Sequence, residues 1–261
     1  MMNTSIDTPK KKLTRQQLEL INRRSLKYRL DIAQKDYFLA MVLQLIYDSP
    51  LKNKLIFKGG TAIHHSYLSQ KRFSEDVDFT SLDNEISFEE VKGIIEGNGT
   101  FVVDKVYESI YTIKIERLKY EGLLGQNGSI KIEIDRHQNV ILPGREIQYK
   151  NVWNVPVSPI LMDEREILAE KIRATSQRAR YRDFYDLYFL LTELKLDLDF
   201  SLELLKQKEI RKPILSKNII NNWQIAREQK EKDLQTIFVS EPVEDEVIQS
   251  ILEKIHFEDI Q

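Results

Sequence analysis

Two short runs hold side chains suited to chemistry. Lys58-Gly59-Gly60-Thr61 is followed by Arg72-Phe73-Ser74-Glu75-Asp76-Val77-Asp78-Phe79. Adjacent glycines between a strand and a helix let the backbone approach a ligand, and the first N–H groups of a helix attract an anion. Such a pair is also an ordinary turn. Asp76 and Asp78 alternate with Val77 and Phe79, so on a strand the carboxylates project from one face and the apolar residues from the other. Like charges at that spacing fit a solvated face, or a divalent cation with a taste for hard oxygen such as Mg²⁺.

A third carboxylate comes from Ser129 to Arg136, where Ile130, Ile132 and Ile134 alternate with Lys131, Glu133 and Asp135. If that strand lies beside the first, three carboxylates converge. Two cations held there would activate a hydroxyl and neutralise a leaving pyrophosphate. Asp76 and Asp78 would bridge the ions, and Asp135 would ligate the catalytic one and help deprotonate the hydroxyl. Glu133 reads as an outward-facing strand residue. Further on, Lys171 sits off the apolar stripe of Ile167, Leu168, Ile172 and Thr175. From there it reaches a triphosphate as a point charge. Asp183 suits a helix N-terminus. Asp186 either pairs with Lys171 or touches the nucleotide. A plain network of salt bridges between two helices fits this region equally well.

These residues need a scaffold. Apolar spacing predicts helices over 14–25, 31–48, 61–67 and 87–95, and strands over 54–57, 75–79, 101–106, 110–118 and 129–136. Asn127-Gly128 signals a turn. After Pro143, Pro156 and Pro159 strands are expected to stop, with helices over 163–177, 183–194, 200–208, 213–228 and 244–256. The expectation is an α+β fold: a mixed β-sheet with flanking helices, followed by a C-terminal helical bundle. Its parts are a basic N-terminal helical extension (1–30), a core (31–160) and a helical C-terminal domain (161–261).

Composition narrows the chemistry. The 261 residues hold 39 Lys and Arg against 41 Asp and Glu, a net charge of −2, which excludes a generally basic nucleic-acid coat. The sum hides local fields. Lys10 to Arg29 has eight basic residues to one acidic, Arg165 to Arg182 six to two, and Glu241 to Gln261 one to seven. The basic stretches suit a polyanion, and the acidic end is a candidate competitor for them. There is no cysteine, so thiol chemistry and thiolate metal sites are excluded and hard oxygen ligands remain. With no apolar run long enough for a bilayer and no secretory h-region, a cytoplasmic protein is expected. His64 and His65 read as helix surface or packing.

The ordered set FKGGTAI, RFSEDVDF, KIEID, ILAEKIRA and RYRDFYDLY resembles the nucleotidyltransferase AbiEii/AbiGii toxin family, within the DNA polymerase β-like nucleotidyltransferase superfamily. The similarity runs over roughly Asp36 to Leu191. It implies that Lys58, Gly59, Gly60 and Thr61 form the triphosphate loop, with Thr61 standing in for the Gly-Ser hydroxyl of superfamily relatives. It implies Asp76 and Asp78 as metal ligands with Asp135 as the third carboxylate. Lys171 matches the phosphate-contacting lysine and Asp186 the acidic residue of the last motif. The implied activity is Mg²⁺-dependent transfer of NMP from an NTP to an acceptor hydroxyl. The family implies a toxin of a toxin–antitoxin or phage-defence (abortive infection) system, a cognate antitoxin, and RNA such as a tRNA 3′ end as acceptor. A small-molecule nucleotidyltransferase and a silent nucleotide-binding module are the rival expectations.

Overall fold

The computed structural model describes residues 12–83, 85–235 and 237–260. The first eleven residues, including Lys10 and Lys11 of the basic stretch, lie outside the described residues, as do Asn84, Thr236 and Gln261. Helices α1 (Arg15–Arg24) and α2 (Leu30–Tyr47) come first. Thr14 and Gln17 form a capping box at the start of α1, which removes two unpaired N–H groups. Asn22 then ties α1 to the start of α2 by bonding both the N–H and the carbonyl of Tyr28. Ser49-Pro50 stops α2 as expected, in a 3₁₀ turn over Pro50–Asn53.

A seven-stranded mixed sheet follows, in the order β3-β4-β5-β2-β1-β7-β6. The strands are β1 (Leu55–Lys58), β2 (Asp76–Ser81), β3 (Phe101–Glu108), β4 (Thr112–Tyr120), β5 (Gly128–Asp135), β6 (Arg145–Glu146) and β7 (Ile160–Leu161). β2 pairs antiparallel with β1 and parallel with β5. Helix α4 (Phe88–Glu96) is capped by the Ser87 hydroxyl, which accepts from the Glu90 N–H. It and α2 cover one sheet face, where Val77, Phe79, Phe101, Ile113, Ile115 and Ile130 to Ile134 build a core. A bulge between Ile115 and Leu118 switches the alternation of β4, so Leu118 and Tyr120 stay on the apolar side.

Two expectations about the sheet are corrected. Strands do not stop at Pro143: β6 and β7 extend the sheet, with Phe57 of β1 opposite Leu161. At two residues each they are too short to leave a periodic signal. Asn127-Gly128 is not a two-residue turn either, because residues 121–127 link β4 to β5. Gly128 is there because a Cβ would strike the Tyr120 ring.

Helices α5 (Glu164–Gln177), α6 (Tyr181–Thr192), α7 (Leu198–Gln207), α8 (Ser216–Glu228), α9 (Lys230–Leu234) and α10 (Asp245–Leu252) form a second core around Trp223, Phe184 and Leu190. α9 is an addition to the helices expected. β1 faces both cores: Leu55 and Phe57 belong to the first and Ile56 to the second. The acidic end does not lie on the basic residues of α5 and α6. Its described ion pairs go from Glu241 to Lys71, from Asp245 to Arg227 and Lys230, and from Glu246 to Arg227.

Candidate active site

β1 ends at Lys58 and runs straight into helix α3 (Gly59–Ala62). Gly59 takes φ +80, a conformation that disfavours any side chain, and a Cβ there would collide with the Asp78 carboxylate. At Gly60 a Cβ would lie 2.6 Å from Arg72 Nη2 and 2.8 Å from Ser74 Oγ. Both glycines therefore let backbone, carboxylate and guanidinium crowd together. The helix then widens into a π turn over Ile63–Tyr67, closed by the Leu68 N–H bonding the Ile63 carbonyl at 2.9 Å. The wider turn buries two consecutive histidines, which a regular surface helix would not. His64 Nε2 lies 2.9 Å from Asp186 Oδ1, and His65 stacks on the Tyr149 ring at 4.3 Å. Packing is the correct half of the expectation for this pair. Burial first, then Arg72, pushes His64 down to about 4, so it is a neutral imidazole donating from Nε2 to the carboxylate.

The register of the sheet sets the carboxylates. Asp78 sits opposite Lys58 on one side and Glu133 on the other, Asp76 opposite Lys131, and Thr80 opposite Asp135. The neighbour of Asp78 is thus Glu133, which the sequence reading turned away from the site. Asp135 is a step further along, and its Oδ1 accepts the N–H groups of His137 and Gln138, both at 2.8 Å, to start the turn after β5. It lines the cleft, but two of its lone-pair directions are committed. Burial, then Asp76, then Glu133, pushes the Asp78 carboxyl up to about 6. That repulsion is what a divalent cation relieves. All donors are oxygen, which fits Mg²⁺. Among the described residues no three His, Cys, Asp or Glu side chains form a ready metal cage. Mg²⁺ is commonly held by one or two carboxylates and completes its shell with phosphate oxygens and water.

The opposite wall is cationic and comes from α5 and α6. Lys171 Nζ lies 2.7 Å from Asp186 Oδ2 and 3.0 Å from Asp183 Oδ1. Arg72 grips Asp186 with both Nε and Nη2 at 2.7 Å. Asp186 is fully buried. Burial alone would push its carboxyl up, but Arg72 and then Lys171 hold it well below the ordinary carboxylate range. Of its two expected roles, the structure gives it the first: it holds Lys171, and no face of it is left for a nucleotide. Asp183 is not the N-cap of α6, which is Arg180, but it lies in the first turn and complements the helix N-terminus as expected, while its carboxylate pairs with Lys171 and Arg178.

A second buried network anchors the loop lysine. Lys58 Nζ lies 3.2 Å from Glu170 Oε2, and Lys208 bridges Glu170 at 3.1 Å and Glu166 at 2.6 Å. Burial would raise the Glu170 carboxyl, yet Lys58, Lys208 and Arg173 bring it below its ordinary range. Thr61 departs from expectation. It is fully buried, and its hydroxyl donates to the Asp76 carbonyl, tying the loop to β2. The hydroxyl beside the glycines is that of Ser74.

Between the walls lies a cleft of about 300 Å³, lined by Lys58, Gly59, Gly60, Asp76, Asp78, Glu133, Asp135 and Lys171. Thr61 and Asp186 stay behind its surface. Arg72, Ser74, Glu170, Arg173, Arg178 and Arg182 also line it. Sequence reasoning assigned Arg72, Ser74 and Glu170 no role. A signal existed for the first two, since they lie four and two residues before Asp76, but neither recurs with a period.

Residues 42–256 match the family described as nucleotidyl transferase AbiEii toxin of type IV toxin–antitoxin systems. Among solved structures the fold is similar to that of MenT4, a nucleotidyltransferase toxin from Mycobacterium tuberculosis H37Rv. The TM-score is 0.71 at 20% identity, covering 94% of this chain and 91% of that one. No curated protein matches the sequence. With the family match spanning most of the chain and the fold agreeing, the protein belongs to the AbiEii nucleotidyltransferase toxin family.

Proposed function

We propose that the chain is a Mg²⁺-dependent toxin that transfers NMP from an NTP to the hydroxyl of an RNA, such as a tRNA 3′ end, and releases pyrophosphate. The observation that carries this reading is the cleft itself: paired Asp76 and Asp78 beside Gly59-Gly60 on one wall, Lys171 on the other. Mg²⁺ supplies neutralisation of charge on the triphosphate and the leaving pyrophosphate. Asp76 and Asp78 hold it. Glu133 is the third carboxylate favoured by the register, and accepts the proton of the attacking hydroxyl directly or through water. The Gly59-Gly60 backbone and Ser74 cradle phosphate oxygens. Lys171, Arg178 and Arg182 face the phosphates as fixed positive charges, which costs no reorganisation during transfer. Asp186, Asp183 and Arg72 are positioning residues that keep Lys171 in place.

We assign the nucleotidyltransferase core to 31–160 and the helical domain, which carries the phosphate-facing cations, to 161–261. The basic stretch before α2 is an RNA-facing extension, and a cognate antitoxin silences the enzyme in the cytoplasm as part of abortive infection. No helix among the described residues is long and apolar enough to cross a membrane.

The test is incubation with each α-³²P NTP, Mg²⁺ and total bacterial RNA, beside a panel of hydroxylated antibiotics and sugars. Label is expected in RNA, and to vanish with Asp76→Ala and with Asp78→Ala. Full transfer by either variant overturns the site. Label only in a small molecule overturns the RNA acceptor.

A further inference from the structure

Asp78 and Glu133 belong to a row that crosses five of the seven strands, from β1 to β3. Pairing runs from Lys58 to Asp78, Asp78 to Glu133, Glu133 to Lys114, and Lys114 to Tyr107 on β3. Directly paired residues project from the same face. Tyr107 therefore shares the face of Asp78, three strand spacings or about 14 Å away. Asp76 pairs with Lys131 on β5, and beyond the β4 bulge between Ile115 and Leu118 Arg117 pairs with Lys105 on β3. Helices α2 and α4 pack on the opposite face. On this one Tyr107, on the edge strand β3, is 55% exposed.

Its charge is also uneven. Lys105, Lys114, Arg117, Lys119 and Lys131 meet only Asp104, Glu116 and Glu133. The acidic side chains hold the cationic heads in place without cancelling them. Beside Arg117 and Lys119 lies a groove of about 490 Å³ whose far side carries the ion pairs Arg29–Asp31 and Lys35–Glu75. An aromatic ring standing on a sheet among fixed cations is the arrangement that holds single-stranded nucleic acid: bases stack on the ring and phosphates follow the charges.

We propose that the exposed face of β3, β4 and β5 is the platform for the single-stranded 3′ end of the RNA acceptor, with a base stacked on Tyr107 and the backbone tracking Lys131, Arg117 and Lys105 toward Asp76. The proposal rests on the RNA-transfer reading above and adds where the acceptor lies. The unbroken pairing from Tyr107 through Lys114 and Glu133 to Asp78 makes the face continuous with the carboxylates, which a second copy of the chain or an antitoxin would not require.

The test uses the full chain, a fluorescent single-stranded RNA 12-mer, and the transfer assay. Tyr107→Ala is expected to weaken RNA binding and raise the acceptor KM by about five- to hundred-fold, the worth of one lost base stack, and the pair Lys105→Ala/Arg117→Ala to weaken both and flatten their salt dependence by lost phosphate contacts. Tyr107→Trp is expected to restore wild-type values. NTP affinity and melting temperature are expected to stay unchanged, because these side chains are exposed and away from the triphosphate. Wild-type transfer to RNA with both variants unaltered in binding and KM overturns the platform and leaves the RNA-transfer reading standing. A wild-type chain that binds NTP but labels no RNA overturns that reading, and the platform with it. Loss of antitoxin binding in Tyr107→Ala with RNA binding intact assigns the face to a protein, which also overturns the proposal.

Discussion

Asp186→Asn is the substitution that best separates a buried anchor from a metal-facing carboxylate. Side-chain shape is conserved, so no cavity opens. What changes is charge. Arg72 loses the carboxylate it grips with two nitrogens, and Lys171 keeps only Asp183. Arg72 is 1% exposed and Lys171 8%, so water offers little compensation. Removing one partner from a buried ion pair costs about 3 to 5 kcal/mol. Unfolding entropy near 2.1 cal/mol/K per residue gives roughly 0.55 kcal/mol/K for a chain of this size, so the midpoint should fall by about 5 to 9 °C. Differential scanning calorimetry reads this directly. Lys171, less firmly held, should lower kcat by about ten- to hundred-fold. Removing the buried cation as well, in Arg72→Met/Asp186→Asn, should recover part of the stability but none of the activity. A midpoint within 2 °C of wild type for the single variant refutes the view that Asp186 neutralises buried cations.

The carboxylates proposed to hold the metal should behave in the opposite way. Asp78→Asn relieves repulsion from Asp76 and Glu133, so it should raise the melting temperature by a few degrees while abolishing transfer, and Mg²⁺ with NTP should stabilise wild type but not the variant. Gly59→Ala, forced to φ +80 against Asp78, should lose about 1 to 3 kcal/mol of stability and at least a hundredfold in rate by steady-state assay. Glu133→Gln should lower kcat a hundredfold or more, while Asp135→Asn, whose Oδ1 still accepts from His137 and Gln138, should leave both turn and kcat nearly unchanged; the reverse order would return the third-carboxylate role to Asp135. The unfolded chain protonates His64 between about 6.5 and 4 and the folded chain does not, so His64 alone removes about 3 kcal/mol as pH falls through that window. Asp78, pushed up to about 6, acts with the opposite sign between about 6 and 4 and offsets most of that loss, so net stability should change little until the depressed carboxyls of Glu170, Asp183 and Asp186 lower it at more acid pH. Urea titrations of His64→Asn should therefore show stability rising as pH falls from about 6 to 4, and those of Asp78→Asn should show it falling.

Legibility from sequence followed local periodicity. Strands β2, β4 and β5 were readable because alternation puts Val77, Phe79 and the Ile130 to Ile134 series against one core. The helices of the second half were readable for the same reason. Pairing was not readable. Nothing in the residues says that β5 slides against β2 so that Glu133, not Asp135, meets Asp78. Nor could the roles of buried polar side chains be read. The family resemblance puts Thr61 at the triphosphate and the residues leave Asp186 between the nucleotide and Lys171, yet burial makes Thr61 a loop clasp and Asp186 the counter-charge. Arg72 escaped notice because its partner is 114 residues away.

Strand β1 has a consequence for how the molecule comes apart. Its apolar run Leu55-Ile56-Phe57 places alternate side chains in two separate cores, and its last residue begins the glycine turn. Melting either core exposes one side of the same strand, so neither half has an intact wall once the other is lost. The chain should therefore unfold in one calorimetric transition, with van't Hoff and calorimetric enthalpies equal, although its sequence divides into a sheet part and a helical part. The cleft walls cannot swing apart about β1 without breaking that strand's packing, so substrates enter an already formed gap.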